Sequence, residues 1–153
     1  MSTVFLFPGQ GSQHVGMGSD LYDRSSSARA VFDQADELLG YSLSSLCFEG
    51  EEEALVETAV QQPAIFTVSV AAWQEVMAQA WDTPHYVAGH SAGEFAALVA
   101  AQALSFSDGL ALVRRRGELM KRAGETNPGA MSAILALDTE TALNLCRQAS
   151  ERT

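Results

Sequence analysis

The pentapeptide Gly89-His90-Ser91-Ala92-Gly93 carries the strongest chemical signal in this sequence, because it can present a serine hydroxyl as a nucleophile. A short β-type run, His85 to Ala88, precedes it, and an alanine-rich helical segment beginning near Ser91 follows. On such a strand-to-helix turn the serine backbone is strained and its Oγ is exposed. The helix start then offers backbone N–H groups and partial positive charge to an oxyanion. Gly89 and Gly93 fit this geometry, since side chains two residues to either side of the serine would collide with neighbouring strands. A glycine-rich turn with an incidental serine shares the pentapeptide; the flanking strand and helix favour the elbow.

A serine hydroxyl needs a base, and histidine is the side chain best suited to that task near neutral pH. The chain has three histidines. His90 adjoins Ser91, and neighbours at an elbow point apart, so it reads as a structural hydrogen-bonder. His85 opens the strand leading to the elbow, on the far side from the nucleophile. His14 lies in a glycine-rich loop and could approach the site. In that loop Gly9 and Gly11 flank Gln10, and their lack of Cβ atoms would let the Gln10 backbone come close to a ligand.

Arg114, Arg115 and Arg116 are consecutive, yet helical spacing turns each by roughly 100° from the last, so they cannot form one cluster. Arg116 shares a stripe with Leu112, Val113 and Met120. Arg115 faces with Glu118 and Arg122, and Arg114 with Glu118 and Lys121. A buried guanidinium without a partner costs several kcal/mol, so either a protein carboxylate or a substrate must answer Arg116. Its planar fork suits a free carboxylate.

The elements that must position these residues alternate between strand and helix. Residues 3–7 read as a buried strand, followed by the polar loop containing Gly9, Gly11, Gly16 and Gly18. Ser25 to Ser27 offer caps for a helix running to Leu39 and stopped by Gly40. Short helices are expected around 43–47 and 51–58. Gln61 to Ala80 places Ile65, Val68, Ala72, Val76 and Ala80 on one stripe of a long helix, with Pro63 in its first turn. A further helix spans about Ser107 to Arg122, capped by Ser105 or Ser107, and Gly124 to Gly129 breaks it. Ala130 to Leu137 reads as a strand, and Thr139 to Arg152 as a helix capped by Asp138 or Thr139. Residues 1–126 thus form a large α/β subdomain, and 127–153 begin a second, smaller one.

A chain of 153 residues that is 47% hydrophobic can bury one core. Its net charge of −10 disfavours nonspecific nucleic-acid binding, and no apolar run reaches membrane-spanning length. The apolar start, Val4 to Phe7, lacks a basic flank and is too short for a signal segment, which points to a cytoplasmic protein. Glu49, Glu51, Glu52, Glu53 and Glu57 read as a solvated helix start, with no metal site implied. Cys47 and Cys146 sit in no redox or metal spacing and are expected to be buried structural thiols.

Phe7-Pro8-Gly9-Gln10-Gly11-Ser12-Gln13, Gln62-Pro63-Ala64, Gly89 to Glu94, Arg116-Gly117 and Gly129-Ala130-Met131 fall in an informative order and spacing. This pattern resembles that of malonyl-CoA:acyl carrier protein transacylases and the related acyltransferase domains of polyketide and fatty acid synthases. The resemblance implies a hydrolase-like parallel sheet flanked by helices, with the start of an inserted ferredoxin-like subdomain after Gly129. It implies an S-malonyltransferase in which Ser91 is acylated and the N–H groups of Gln10 and Ala92 form the oxyanion hole. Arg116 would pair with the malonyl carboxylate, Gln62 would be an active-site hydrogen-bonding residue, and Gly89, His90 and Gly93 would shape the elbow. Malonyl-CoA and an acyl carrier protein are the implied partners, with no bound cofactor or metal and no nucleic acid or membrane. An acidic carrier would need a basic patch, for which Arg114, Arg115, Lys121 and Arg122 are the dense candidates. The family has no catalytic histidine at the position of His14; its histidine lies in the second half, and full members run roughly twice this length. The resemblance therefore leads us to expect a fragment, or one piece of a split enzyme that a complementary C-terminal segment would complete. A serine thioesterase or esterase, and a non-catalytic fragment that keeps the fold, are the alternatives.

Overall fold

A computed structural model describes residues 2–127, 129 and 134–151 as an α/β arrangement of two parallel strands and eight helices. Strand β1 (Val4–Phe7) pairs with β2 (Tyr86–Gly89) in parallel, with Val4 opposite Tyr86 and Phe7 opposite Gly89. Parallel pairing needs a long crossover, and five helices supply it. These are α1 (Ser19–Arg24), α2 (Ser26–Leu39), α3 (Leu43–Glu49), α4 (Glu52–Val56) and α5 (Thr58–Ala78). After β2 come α6 (Gly93–Ala100), α7 (Phe106–Thr126) and α8 (Thr139–Ser150).

Local chemistry sets most of the boundaries. Ser25 accepts from the Ala28 backbone N–H and caps α2, while Gly40 ends that helix at φ 75°. Ser105 caps α7 and Asp138 caps α8, each accepting from the backbone three residues on. Glu51 stands at the N-cap position of α4 without a side-chain capping bond, and Glu52 and Glu53 lie in its first turn, where the helix dipole favours negative charge.

Five expectations need correction. The six-residue α1 falls where the sequence suggests only loop. Helix α5 starts at Thr58, three residues earlier than expected, because Val60 and Gln61 both donate to the Glu57 carbonyl; Pro63 therefore lies in the second turn. The centre of α5 is also not striped: every residue from Gln61 to Thr67 is buried, whereas Ala80 is exposed beyond the helix end at φ 56°. Helix α7 runs through Gly124 to Thr126, so the break takes effect only at Asn127. Of the expected strand Ala130 to Leu137, residues 130–133 lie outside the described residues, as does Arg152, and 134–137 form no strand.

The core forms where α5 packs between α2 and α7. Phe32, Leu43, Leu55, Phe66, Val70, Leu110 and Val113 are almost wholly buried there. Phe66 stacks on Phe106 at 5.4 Å between ring centres, and the rings of Tyr22, Phe32 and Phe48 pack against one another. Truncating a buried ring of this kind costs about 3–5 kcal/mol. Cys47 belongs to this core, and burial, assisted by the Asp36 charge, pushes its thiol up to about 12. Cys146 is exposed instead of buried, because α8 buries none of its residues.

Candidate active site

The elbow is built by the end of the sheet. His90 N–H donates to the Phe7 carbonyl at 3.0 Å, extending the β1–β2 pairing by one step. Ser91 then turns back at φ 54°, the left-handed region that costs an ordinary side chain roughly 1–2 kcal/mol. Ala92 returns to right-handed geometry and leads into α6, with the Gly93 N–H donating to His90 O at 2.9 Å. A Cβ on Gly93 would come within 2.4 and 2.5 Å of the Phe7 and Pro8 carbonyl oxygens, so this glycine lets the helix start press against β1. A Cβ on Gly89 would sit 2.1 Å from the Gly93 carbonyl carbon. The collision at Gly89 is thus with the following helix and not, as expected, with a strand.

The glycine-rich loop is drawn onto the elbow. A Cβ on Gly9 would lie 2.3 Å from His90 O and 2.8 Å from His90 Nδ1, so only glycine allows this contact. Further along, Gly16 N–H donates to Cys47 O at 2.8 Å and ties the loop to α3. Between these anchors stands Gln10. Neither its N–H nor that of Ala92 has a protein acceptor among the described residues; Gln10 is exposed, whereas Ala92 is fully buried.

Arg116 reaches Ser91 from α7. Its Nη2 donates to Ser91 Oγ at 2.9 Å, and its Nη1 donates to Gln62 Oε1 at 2.6 Å. Gln62, fully buried on α5, donates from Nε2 to Met120 Sδ at 3.2 Å. Among the described residues no carboxylate pairs with Arg116. Guanidinium has no lone pair to offer, so Ser91 Oγ accepts this bond and keeps its own proton for a base. The expected apolar stripe is only partly buried: Val113 is inaccessible, while Leu112 and Met120 remain exposed. A groove of about 430 Å³, lined by Phe95, Leu112, Leu119 and Met120, opens beside the guanidinium.

Three of the four cations of the expected basic patch are ion-paired. Arg114 and Arg115 both bond Glu118 at 3.2 Å, and Lys121 bonds Glu57 at 2.8 Å, which raises the Lys121 pKa. Two carboxylates thus answer the patch in part, and Arg122 has no ion pair among the described residues. None of the three histidines hydrogen-bonds Ser91. His85 Nδ1 accepts from Thr3 N–H at 3.2 Å, while the structural hydrogen bonds of His90 run through its backbone and not through its ring. No group of side chains suited to a metal occurs among the described residues, and none of their helices is long and apolar enough to cross a membrane.

Residues 4–150 match the family described as the acyl transferase domain. The chain belongs to that family. It is 51% identical over 137 residues to the malonyl CoA-acyl carrier protein transacylase of Bacillus subtilis, covering 90% of the chain and 43% of that relative. An acyl carrier protein S-malonyltransferase from Vibrio cholerae has a similar structure, with a TM-score of 0.88 and 40% identity over 97% of this chain and 49% of that one. So does a malonyl-transacylase solved in complex with a type II polyketide acyl carrier protein, with a TM-score of 0.86 and 37% identity over 97% and 48%. The chain thus spans somewhat under half the length of these relatives.

Two contacts of the site escape sequence reasoning: Gly9 against His90, and Met120 against Gln62. The Gly-Gln-Gly spacing hints at the first. Nothing in the sequence signals the second, because a methionine one turn beyond Arg116 reads simply as core.

Proposed function

We propose that this chain carries the nucleophile half of an S-malonyltransferase that moves malonyl from coenzyme A to the phosphopantetheine thiol of an acyl carrier protein. The observation that carries the reading is the Arg116–Ser91 bond of 2.9 Å, with no carboxylate among the described residues answering the guanidinium. In a malonyl thioester the carboxylate carbon and the reacting carbonyl carbon are separated by one methylene, about 2.5 Å apart. A guanidinium already touching the nucleophile suits that short spacing, and it would hold the carboxylate with the carbonyl beside Oγ.

Ser91 Oγ would attack the thioester carbonyl and lose its proton to a base, with the oxyanion received by the N–H groups of Gln10 and Ala92. Collapse would expel coenzyme A as its thiol and leave malonyl-serine. The carrier thiol would then attack that ester and restore Ser91. Gln62 holds Arg116 in place. We assign the base to a histidine in a complementary segment, as the resemblance implies. Within the same reading, β1, β2 and their helices are the core of a hydrolase-like sheet in the large subdomain 1–126. Residues 127–153 begin a ferredoxin-like subdomain, and the enzyme works in the cytoplasm without a bound cofactor.

The test is a malonyl-CoA pulse on the chain combined with the second half of a relative, followed by intact mass and peptide mapping. Malonyl on Ser91 that leaves only when carrier protein is added supports transfer. Rapid loss to water would replace it with thioester hydrolysis, and no adduct at all would leave a non-catalytic fold.

A further inference from the structure

Gln62 is a fully buried carboxamide with two polar ends, and the structure shows where each one goes. Oε1 must face Arg116, because guanidinium offers only donors. The orientation of the amide is therefore fixed, and Nε2 is turned toward Met120 Sδ at 3.2 Å. No other acceptor takes Nε2 among the described residues. Met120 lies one helical turn beyond Arg116 on α7, so one face of that helix supplies both the cation and the acceptor that steadies its partner.

We propose that Met120 is a positioning residue, whose thioether holds the Gln62 carboxamide in the orientation that aims the Arg116 guanidinium at Ser91. Sulfur is a weak acceptor, but here it replaces nothing better. Without it a buried N–H would be left unpaired, and Gln62 could relieve that only by rotating away from Arg116. The guanidinium would then keep a single fixed contact, the one to Ser91 Oγ. The consequence for substrate choice rests on the malonyl reading above, whereas the aiming of Arg116 does not.

Met120→Leu keeps the bulk of the side chain and removes the acceptor; Met120→Gln returns an acceptor as a carbonyl oxygen. Because Met120 is exposed at the rim, both variants should fold, which a thermal melt verifies. The readout is nuclear magnetic resonance of the 153-residue chain without ligand, following the Gln62 carboxamide protons and the Arg116 Nη protons. In Met120→Leu, solvent exchange of the Gln62 carboxamide should accelerate roughly tenfold, and the Arg116 Nη signals should merge as rotation is freed. Met120→Gln should restore both. Unchanged Gln62 exchange and unchanged Arg116 signals in Met120→Leu would overturn the proposal. So would equal acceleration in the Leu and Gln variants, since a purely steric role would respond to both in the same way. Neither result bears on whether Ser91 is acylated, so this proposal and the malonyl reading can fail separately.

Discussion

Arg116 Nη2 donates to Ser91 Oγ at 2.9 Å across 25 positions of sequence. The contact joins the arginine of its run that has no carboxylate partner among the described residues to the residue of the elbow with a left-handed backbone. It can exist because α5 and α7 pack closely and Gln62, on the facing helix, fixes the other branch of the guanidinium fork.

Removing the hydroxyl should remove acylation and little else. Ser91→Ala keeps the φ of 54° at the same conformational cost, so the unfolding midpoint should hold while malonyl-enzyme disappears. Intact mass after a malonyl-CoA pulse, with the complementary segment present, checks this. Undiminished acylation in the variant would require another nucleophile.

Arg116→Ala should separate substrate choice from catalysis. Loss of a partly desolvated charge-assisted contact typically costs a few kcal/mol, or roughly two to three orders of magnitude in malonyl transfer. Acetyl-CoA has no carboxylate to strand, so its relative rate should rise. The measured quantity is the ratio of kcat/KM for the two thioesters. Equal losses for both would make Arg116 a support for the nucleophile and not a reader of the acyl group.

The two thiols should differ sharply in reactivity. Cys47 is inaccessible and its thiol is pushed up to about 12, so essentially none is thiolate at pH 8. Cys146 is exposed. A colourimetric disulfide reagent should therefore report one fast thiol in the native chain and two after denaturation. Two fast thiols in the native chain would contradict the packing of Cys47 beneath α2.

Glu75 should make stability depend on pH. Hydrogen bonds from Ser25, Gln79 and Ser27 hold its carboxyl below the usual carboxylate value. A depressed folded-state pKa adds stability above the unfolded-state value, and that stability is lost as pH falls through the folded-state value. Glu75→Gln should therefore lower the melting temperature near neutral pH, and the two curves should converge in acid. A constant gap at every pH would assign the effect to packing alone.

Much of this site is readable from the sequence because it depends on backbone geometry. Gly9, Gly89 and Gly93 stand where a Cβ cannot fit, whereas Gly11 has open space around it and is marked by its φ of 101° instead. Helical rotation alone separates Arg116 from Arg114 and Arg115, and the structure pairs those two with Glu118. The misses arise from tertiary contacts. Burial of α5 on all sides overrides the stripe that its apolar residues suggest, since helices press on it from both flanks. Likewise α7 continues through Gly124, where a glycine costs only about 1 kcal/mol and nothing crowds the turn. The six residues of α1 are too few to show a periodicity.

The left-handed backbone at Ser91 sets usefulness against durability at a single position. Glycine would adopt that φ without strain and would be preferred there by any process that rewards resistance to heat alone. Improving such a chain by selecting for survival would thus tend to replace the serine at 91, and with it the hydroxyl that the proposed chemistry needs.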